Sequence, residues 1–254
     1  MEQKPEKALN KLGLLGKNIS YSFSRAYFKS KFQREQITHW SYENFDIEHI
    51  EAFPKILKRN PNLKGLNVTI PFKQSIIPYL DKLDDQANEI GAVNTIKISN
   101  EKELIGYNTD CYGFEKSISP ILHSIHKRAL ILGTGGASKA IAFTLKKLGI
   151  EYNYVSRTAS NLADYTYDTL TNSDISKHLI IINCTPLGTF PKIEDCPDIP
   201  YEAISENHIL FDLIYNPEET TFLKRGKEKG ATICNGQKML EFQAEKSWNI
   251  WNSD

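Results

Sequence analysis

Hydrophobic and polar positions alternate in the first part of the chain in a way that predicts strands and helices in turn. Short apolar runs bounded by glycine, proline or polar clusters are typical of strands, whereas apolar positions three and four residues apart indicate a helix face. These patterns predict strands at 12–16, 40–45, 63–70, 92–98 and 104–105, and helices at 47–59 and at 24–35, with Ser24 as the N-cap. This alternation predicts an α/β layered domain.

The pattern becomes more regular after Asp110. Strands are predicted at 128–132, 152–155, 178–183, 208–214 and 231–234, with helical segments between them, the first at 139–148. The stretch 179–182 is wholly apolar, which suits a central strand covered on both faces. We therefore predict a Rossmann-like parallel sheet. A last helix at 238–251 lies beyond that sheet and is expected to cross back to the first domain.

The first strand of this sheet leads into a glycine-rich turn, GTGGAS at 133–138, and then into a helix. Such a turn presents backbone N–H groups and the positive end of a helix dipole to an anion. Gly133 permits the tight turn, and Gly135 lets a pyrophosphate approach the backbone. Ser138 stands where the usual pattern has a third glycine, and glycines also end strands for structural reasons alone. In its strand–turn–helix setting the motif predicts a dinucleotide site.

The end of the second strand indicates which dinucleotide is bound. NAD sites usually place an acidic residue there, whereas NADP sites offer an arginine to the 2′-phosphate. This chain has Arg157 between Ser156 and Thr158, and it has no carboxylate in that turn. The alternative is a solvated surface arginine, but the sequence favours NADP as the cofactor.

The charge balance excludes some classes of partner. Lys plus Arg number 31 and Asp plus Glu number 31, so the formal net charge is zero. Nucleic acids and anionic membranes both require a basic excess, so neither is expected as a partner. No apolar run is long enough to span a bilayer, and the polar start has no signal-peptide core. We expect a cytoplasmic protein.

The cysteines agree with that location. Cys111, Cys184, Cys196 and Cys234 form no C-x-x-C pair. A chain of this size does not need disulfides, so reduced thiols are expected. The histidines are scattered as well, and no metal site is predicted.

A series of short motifs occurs along the chain in a defined order. They are SYSFS at 20–24, NVTIPFK at 67–73, GAVNT at 91–95, GYNTD at 106–110, GTGGAS at 133–138, NCTPLG at 183–188 and NG at 235–236. Together these motifs resemble the shikimate dehydrogenase family, and the resemblance covers nearly the whole chain. Each motif is only moderately specific alone, so the assignment depends on their joint occurrence.

The resemblance implies both an architecture and an activity. A substrate-binding and catalytic domain is expected at 1–106 plus 236–254, an NADP-binding Rossmann-like domain at 107–235, and the site in the cleft between them. The family's reaction is the interconversion of 3-dehydroshikimate and shikimate by hydride transfer with NADP, in chorismate and aromatic amino acid biosynthesis. The implied protein is a monomer or homodimer whose partner is this small-molecule substrate.

Lys73 and Asp110 match the family's acid–base pair. Reducing a ketone by hydride leaves negative charge on oxygen, so a proton donor must stand beside that oxygen. A lysine ammonium can give the proton and stabilise the charge, and a neighbouring carboxylate keeps it ionised. Without the resemblance, Lys73 would be interpreted as an exposed lysine in the first turn of a helix and Asp110 as a helix-start carboxylate.

The resemblance also assigns binding residues. Ser22 and Ser24, with Tyr215 nearby, are expected to hold the substrate carboxylate, because hydroxyls bind an anion without a buried counter-charge. Contacts to the ring hydroxyls are expected from Asn67, Thr69, Asn94 and Gln243, although each of these can also be an ordinary turn or cap residue. The expected cofactor contacts are Gly133, Gly135, Gly136, Ala137, Ser156, Arg157, Thr158, Thr185, Leu213 and Gly236.

Two departures from the family pattern bear on binding. Tyr21 replaces the usual histidine before the first serine, which could alter loop packing or ligand preference. Gln237 and Lys238 stand where an apolar residue and glycine are usual, which could alter contact with the nicotinamide. Neither change touches Lys73 or Asp110.

Three other functions remain open at this point. Quinate, alone or with shikimate, could be the substrate, and the missing acidic residue argues mildly against the NAD-using quinate enzymes. A non-catalytic sensor of shikimate-like ligands would be expected to lose Lys73 or Asp110, and both are present. Amino-acid or folate dehydrogenases share the glycine turn but not the linked serine and asparagine motifs.

Overall fold

The computed structural model describes residues 9–20 and 22–253. The chain divides into two compact units, one of which runs through Thr109 and resumes at Ala244, while the other spans Asp110–Gln243. Tyr21, the departure in the first motif, lies outside the described residues.

The first unit contains a mixed six-stranded sheet with the order β2-β1-β3-β5-β6-β4. Its strands are β1 Asn10–Gly16, β2 Trp40–Asp46, β3 Leu63–Val68, β4 Lys82–Leu83, β5 Thr95–Ile98 and β6 Leu104–Tyr107. Its helices are α1 Phe23–Arg34, α2 Phe53–Arg59 and α3 Asp85–Ile90. Strand β1 pairs in parallel with β2 and β3, whereas β5 runs antiparallel to β3 and β6.

Several helices and strands of this unit differ in their bounds from those predicted. The prediction of Ser24 as an N-cap is wrong, because α1 begins one residue earlier and Ser22 occupies the N-cap position. The helix predicted at 47–59 is divided into a 3-10 turn, Ile50–Ala52, and α2, because Pro54 fits only the first turn of a helix. Strand β4 and helix α3 were not predicted.

Hydrophobic clusters cover both faces of the first sheet. Leu14 of β1 packs with Phe28 and Trp251 on one face, and the next residue, Leu15, belongs to the cluster on the other face. Trp251 lies directly against β3, where a Cβ at Gly65 would stand 2.2 Å from its Nε1. That nitrogen donates to a backbone carbonyl of β5 at 2.9 Å, which joins the last residues of the chain to the sheet.

The second unit is the predicted Rossmann-like sheet. All its strand pairs are parallel, and the order is β12-β11-β10-β7-β8-β9. The strands are β7 Arg128–Leu132, β8 Glu151–Ser156, β9 Tyr165–Thr166, β10 Ile180–Asn183, β11 Ile209–Asp212 and β12 Thr232–Cys234. The helices are α4 Asp110–Ile118, α5 Gly136–Lys147, α6 Asn172–Lys177, α7 Thr221–Glu228 and the start of α8 Gln237–Asn252. The five-strand prediction is confirmed with one addition, the two-residue β9 at an edge.

The order in which strands are added to the second sheet reverses between β7 and β10. Strands β8 and β9 follow β7 on one side, and β10, β11 and β12 follow on the other side. Helix α5 packs on one face through Ile141 and Leu145, and α6 packs on the other face through Ile175. Ligands of open parallel sheets bind at the carboxyl ends of the two strands beside such a reversal. We call this place, next to Leu132 and Asn183, the switch point.

Candidate active site

The loop after β7 forms a backbone cradle at the switch point. Gly133 has a φ of +101°, in the left-handed region that favours glycine, and its N–H donates to the Val155 carbonyl at 2.8 Å. Gly135 is the N-cap of α5, makes no side-chain cap bond, and has open space where a Cβ would lie. Gly136 and Ala137 begin the helix. The cradle therefore offers N–H groups and the positive helix end without a covering side chain.

The loop after β10 lies against this cradle. A Cβ at Gly133 would stand 3.1 Å from Cγ2 of Thr185. Thr185 is fixed by Asn183, whose Oδ1 accepts from the Thr185 N–H at 3.0 Å and from its hydroxyl at 2.7 Å. The structure thus brings together predicted cofactor residues from two loops that are distant in the sequence.

Arg157 follows β8 and is exposed, beyond the end of the strand. The flanking Ser156 hydroxyl donates to the Thr158 carbonyl, so its proton is already used. Tyr167 follows β9, whose last residue, Thr166, pairs with Ser156. The Tyr167 hydroxyl oxygen is buried and has no hydrogen-bond partner among the described residues. Burial raises the pKa of Tyr167 to about 12, while the Arg157 charge opposes the rise.

The remaining predicted cofactor residues lie in the loop after β11, which contains Leu213, and in the turn after β12, which contains Gly236. The Leu213 N–H donates to the Asn183 carbonyl at 3.1 Å, and the Gly236 N–H donates to the Ile214 carbonyl at 2.9 Å. A Cβ at Gly236 would stand 2.1 Å from the Leu213 oxygen, so only glycine allows this approach. Tyr215 also lies in the loop after β11 and is half-buried.

These residues fit a dinucleotide. The open space at Gly135, the uncapped start of α5 and the unpartnered Tyr167 hydroxyl all lie at the carboxyl edge of the sheet. Gly133, Gly135 and Gly136 would hold the pyrophosphate, and Arg157 would hold a 2′-phosphate.

The first unit contains a buried polar network that joins several predicted substrate residues. The Tyr42 hydroxyl donates to Asn67 Oδ1 at 2.8 Å, and Asn67 Nδ2 donates to the hydroxyls of Ser247 at 3.0 Å and Thr95 at 3.2 Å. Asn94 Oδ1 accepts from the Thr109 N–H at 2.7 Å. Asn67 and Asn94 are among the residues predicted from the sequence, whereas Tyr42, Thr95, Thr109 and Ser247 were not predicted.

The serine loop lies beside this network. Ser24 is buried in the first turn of α1 and hydrogen-bonds with the Tyr42 hydroxyl, whereas Ser22 is half-buried and its side chain makes no cap bond. The Asp46 carboxylate fixes the preceding turn by accepting the N–H groups of Asn18 and Ile19 at 2.8 and 3.1 Å. Burial raises the pKa of Tyr42 well above its ordinary value, so its phenol remains a donor.

The other predicted substrate residues are held by the backbone. Thr69 follows β3, is half-buried, and its N–H donates to the Leu15 carbonyl at 2.9 Å. Gln243 is buried in the part of α8 that belongs to the second unit, and its Nε2 donates to the Leu240 carbonyl at 2.9 Å.

Lys73 lies in a turn after β3 rather than in the first turn of an α-helix, and it is half-buried. Its carbonyl accepts from the Val93 N–H at 2.7 Å. The neighbouring Asn94 holds Thr109, so two adjacent residues anchor both the segment that carries Lys73 and the segment that leads to Asp110. Asp110 is buried and is the first residue of α4.

Two features are absent from the described residues. In residues 9–20 and 22–253, no group of three or more His, Cys, Asp or Glu side chains is arranged to hold a metal ion. Across the same residues, no helix has the length and apolar character needed to cross a membrane.

The fold and the switch point define a class, the enzymes that bind a dinucleotide on a Rossmann-like sheet. Within this class, residues 14–96 match the family model of the shikimate dehydrogenase substrate binding domain. A shikimate dehydrogenase (NADP(+)) of Clostridium beijerinckii is 40% identical over 94% of this chain and 90% of its own. The chain belongs to the shikimate dehydrogenase family.

Solved structures agree with this assignment. A crystal structure of a shikimate dehydrogenase in complex with NADP+ superposes with a TM-score of 0.85 and 32% identity, over 96% of this chain and 90% of that one. The enzyme of Thermus thermophilus, crystallised with NADP(H) and shikimate, gives a TM-score of 0.84 and 29% identity, over 96% and 94% of the two chains.

Proposed function

We propose that this protein interconverts 3-dehydroshikimate and shikimate with NADP as the cofactor. The observation that carries the proposal is the open backbone cradle at Gly133–Gly136 in a chain that belongs to this family. The named relatives support the substrate and the cofactor. The proposed role in metabolism is the reduction step that precedes chorismate formation in aromatic amino acid biosynthesis.

Lys73 and Asp110 form the proposed acid–base pair. When bound, NADPH supplies the hydride that reduces the substrate carbonyl. As negative charge develops on the carbonyl oxygen, the Lys73 ammonium donates a proton to it, and in the reverse direction the amine accepts that proton. In this proposal the Asp110 carboxylate orients the Lys73 ammonium. The hydrogen bonds from the Val93 N–H to the Lys73 carbonyl and from the Thr109 N–H to Asn94 support a fixed backbone at Lys73 and at the residue before Asp110.

The polar groups of the first unit bind the substrate in this proposal. Ser22 and Ser24 hold the carboxylate, with Tyr215 from the second unit assigned to the same group. Asn67, Thr69, Asn94 and Gln243 bind ring hydroxyls, because amides and hydroxyls both donate and accept. The Tyr42 contact to Asn67 and the Thr109 contact to Asn94 support this role, since they fix the two amide planes.

The direct test is an assay of the purified chain with shikimate and NADP+, following the absorbance of NADPH. We expect NADPH formation with shikimate and much slower formation with quinate. Rapid turnover of quinate with slow turnover of shikimate would contradict the proposed substrate. Binding of shikimate without turnover would instead indicate a sensor.

A further inference from the structure

Asp212, the last residue of β11, is a carboxylate with no exposed surface. Among the described residues it forms no ion pair, so its charge is balanced only by hydrogen-bond donors. Burial raises the pKa of Asp212 to about 6, although the three donors oppose the rise. An ionised carboxylate in such a place reduces the stability of the fold, because it has lost its hydration.

The three donors come from three different segments. Asn183 Nδ2, at the end of β10, donates to Oδ1 at 3.1 Å, and the Ile214 N–H, in the loop after β11, donates to the same oxygen at 3.0 Å. The Thr220 hydroxyl, at the N-cap of α7, donates to Oδ2 at 2.7 Å. The carboxylate therefore joins two loops and a helix start at the carboxyl edge of the sheet.

Two of these contacts lead to residues assigned to the cofactor. Asn183 holds Thr185 through its Oδ1 and holds the Leu213 N–H through its carbonyl. Ile214 accepts from the Gly236 N–H through its carbonyl. The Asp212 carboxylate thus acts on the cofactor loops through Asn183 and Ile214.

We propose that Asp212 is a positioning residue for the cofactor site, whose carboxylate sets the placement of the loops that carry Thr185, Leu213 and Gly236. The inference rests on the proposed function, since those residues are assigned to the cofactor there. It extends that function, because Asp212, which is buried outside the site, would affect the binding of NADPH and not that of shikimate.

The carboxylate form is required because it accepts all three hydrogen bonds at once. A protonated acid must donate from one oxygen, so one of the three donors loses its acceptor. Among the described residues, Cys184 and Tyr201 are titratable side chains that interact electrostatically with Asp212. Burial raises the pKa of both, which keeps both neutral at and below neutral pH. Protonation of Asp212 is then the expected local change as the pH falls below about 6.

The test is Asp212→Asn, which keeps the shape but replaces one acceptor oxygen with a donor. We expect the Kd for NADPH, measured by fluorescence titration of the whole chain at pH 8, to rise about tenfold, with the KM for shikimate nearly unchanged. The free energy of unfolding should stay equal or increase, because a buried charge is removed. A residue needed only for stability would give the opposite result, easier unfolding with unchanged NADPH binding.

The pH dependence sharpens the test. The ratio of the variant's Kd to the wild-type Kd should fall toward one between pH 8 and pH 5.5, as the wild type becomes protonated. The 2′-phosphate of NADPH also titrates at about pH 6, like an ordinary phosphate monoester, but its contribution cancels in the ratio. A ratio that stays constant across this range would overturn the inference.

Two controls separate the possible outcomes. Asp174→Asn removes a carboxylate that caps α6 through Thr171 in the same unit, and it should leave the Kd for NADPH unchanged. If Asp212→Asn does not fold, Thr220→Val should raise the Kd and Thr220→Ser should not, because only serine keeps the hydroxyl donor. A Thr220→Val variant with unchanged Kd would contradict the inference.

The same measurements distinguish the inference from the proposed function. A wild type that binds NADPH but does not oxidise shikimate contradicts the proposed function. The inference about Asp212 can still be tested in that case, because it depends only on the Kd for NADPH of the wild type and of the variant. A wild type that oxidises shikimate with an Asp212→Asn variant of normal Kd contradicts only the inference.

Discussion

The two units bury polar groups in different ways. In the second unit the central strands are apolar, with Ile180, Ile181 and Ile182 fully buried, and the buried polar groups Asn183 and Asp212 stand at the strand ends. In the first unit, polar side chains enter the sheet itself, through residues such as Asn67 in β3.

This difference corresponds to two ways of binding a ligand. The second unit offers mainly backbone groups to its proposed cofactor, at glycines and a helix start. Few of its cofactor contacts therefore depend on the identity of a side chain. The first unit offers side-chain amides and hydroxyls, which must be held by one another to keep their orientation. In the proposed mechanism the side chain that donates the proton, Lys73, also lies in the first unit.

The largest expected effect is therefore that of Lys73. Replacing Lys73 with alanine should lower kcat by roughly 10²–10⁴-fold, the usual effect of losing a positioned acid–base group, while the Kd for NADPH changes little. Steady-state kinetics and NADPH titration measure the two quantities. The matched control is Lys55→Ala, an exposed lysine of α2, which should have near-normal kcat. Near-normal turnover in the Lys73 variant would remove this side chain from the mechanism.

The next effect concerns the one proposed cofactor contact that depends on a charged side chain. Arg157→Ala should reduce the preference for NADPH over NADH by about 1.5–3 kcal/mol, roughly tenfold to a hundredfold, because a guanidinium pairs with the 2′-phosphate alone. The measurement is the ratio of kcat/KM for the two cofactors at constant salt. Arg128→Ala is the control, since Arg128 pairs with Glu151 at the other end of the strands. An unchanged ratio would mean that another group selects the cofactor.

The candidate cofactor site was largely predictable from the sequence, because its backbone conformations require glycine, and a glycine-rich turn is visible in the sequence. The strand before the glycine turn was predicted with the bounds that the structure shows, 128–132. A strand of two residues, such as Tyr165–Thr166, is too short to produce an apolar pattern and was missed. Asp212 was also missed, since an aspartate at a strand end looks like an ordinary turn residue.

The network of the first unit was less predictable, because its members are distant in the sequence. Asn67 bonds to Ser247, 180 positions later, and no local pattern links the two. Ser247 looks like a polar position on a helix, and Thr95 looks like an ordinary β-branched strand residue. The asparagines were found through the family resemblance, which the depletion of asparagine in strands supported.

The units should also differ in their response to acid. His208, at the amino end of the second sheet, is buried, accepts from the Ser205 N–H at Nδ1 and contacts the Ile175 carbonyl through Nε2. Burial lowers the pKa of His208 below its ordinary value of 6.5. The unfolded chain then binds this proton more readily, so the contribution of His208 to the free energy of unfolding should fall as the pH drops through about 6.5. Protonation of Asp212, whose pKa burial raises to about 6, acts in the opposite direction.

This small effect can be measured by urea unfolding at several pH values. As the pH falls below about 6.5, the free energy of unfolding of His208→Gln should rise relative to that of the wild type, because the variant lacks the His208 contribution. His49→Gln, at an exposed position of the first unit, should show no such change. All three tryptophans, Trp40, Trp248 and Trp251, lie in the first unit, so their fluorescence follows that unit while circular dichroism follows both. An equal pH dependence in the His208 variant and the wild type would contradict this account.

Substrate affinity should depend mainly on side chains of the first unit, and cofactor affinity mainly on the backbone of the second. Ser22→Ala and Gly135→Ala test this expectation together, because the Ser22 side chain makes no cap bond and Gly135 has open space where a Cβ would lie. We expect Ser22→Ala to raise the KM for shikimate by about tenfold or more and to leave the KM for NADP+ unchanged. Gly135→Ala places a methyl group in the open cradle, so it should raise the KM for NADP+ and spare that for shikimate. The opposite pairing of variant and ligand, or equal changes in both KM values, would contradict the account.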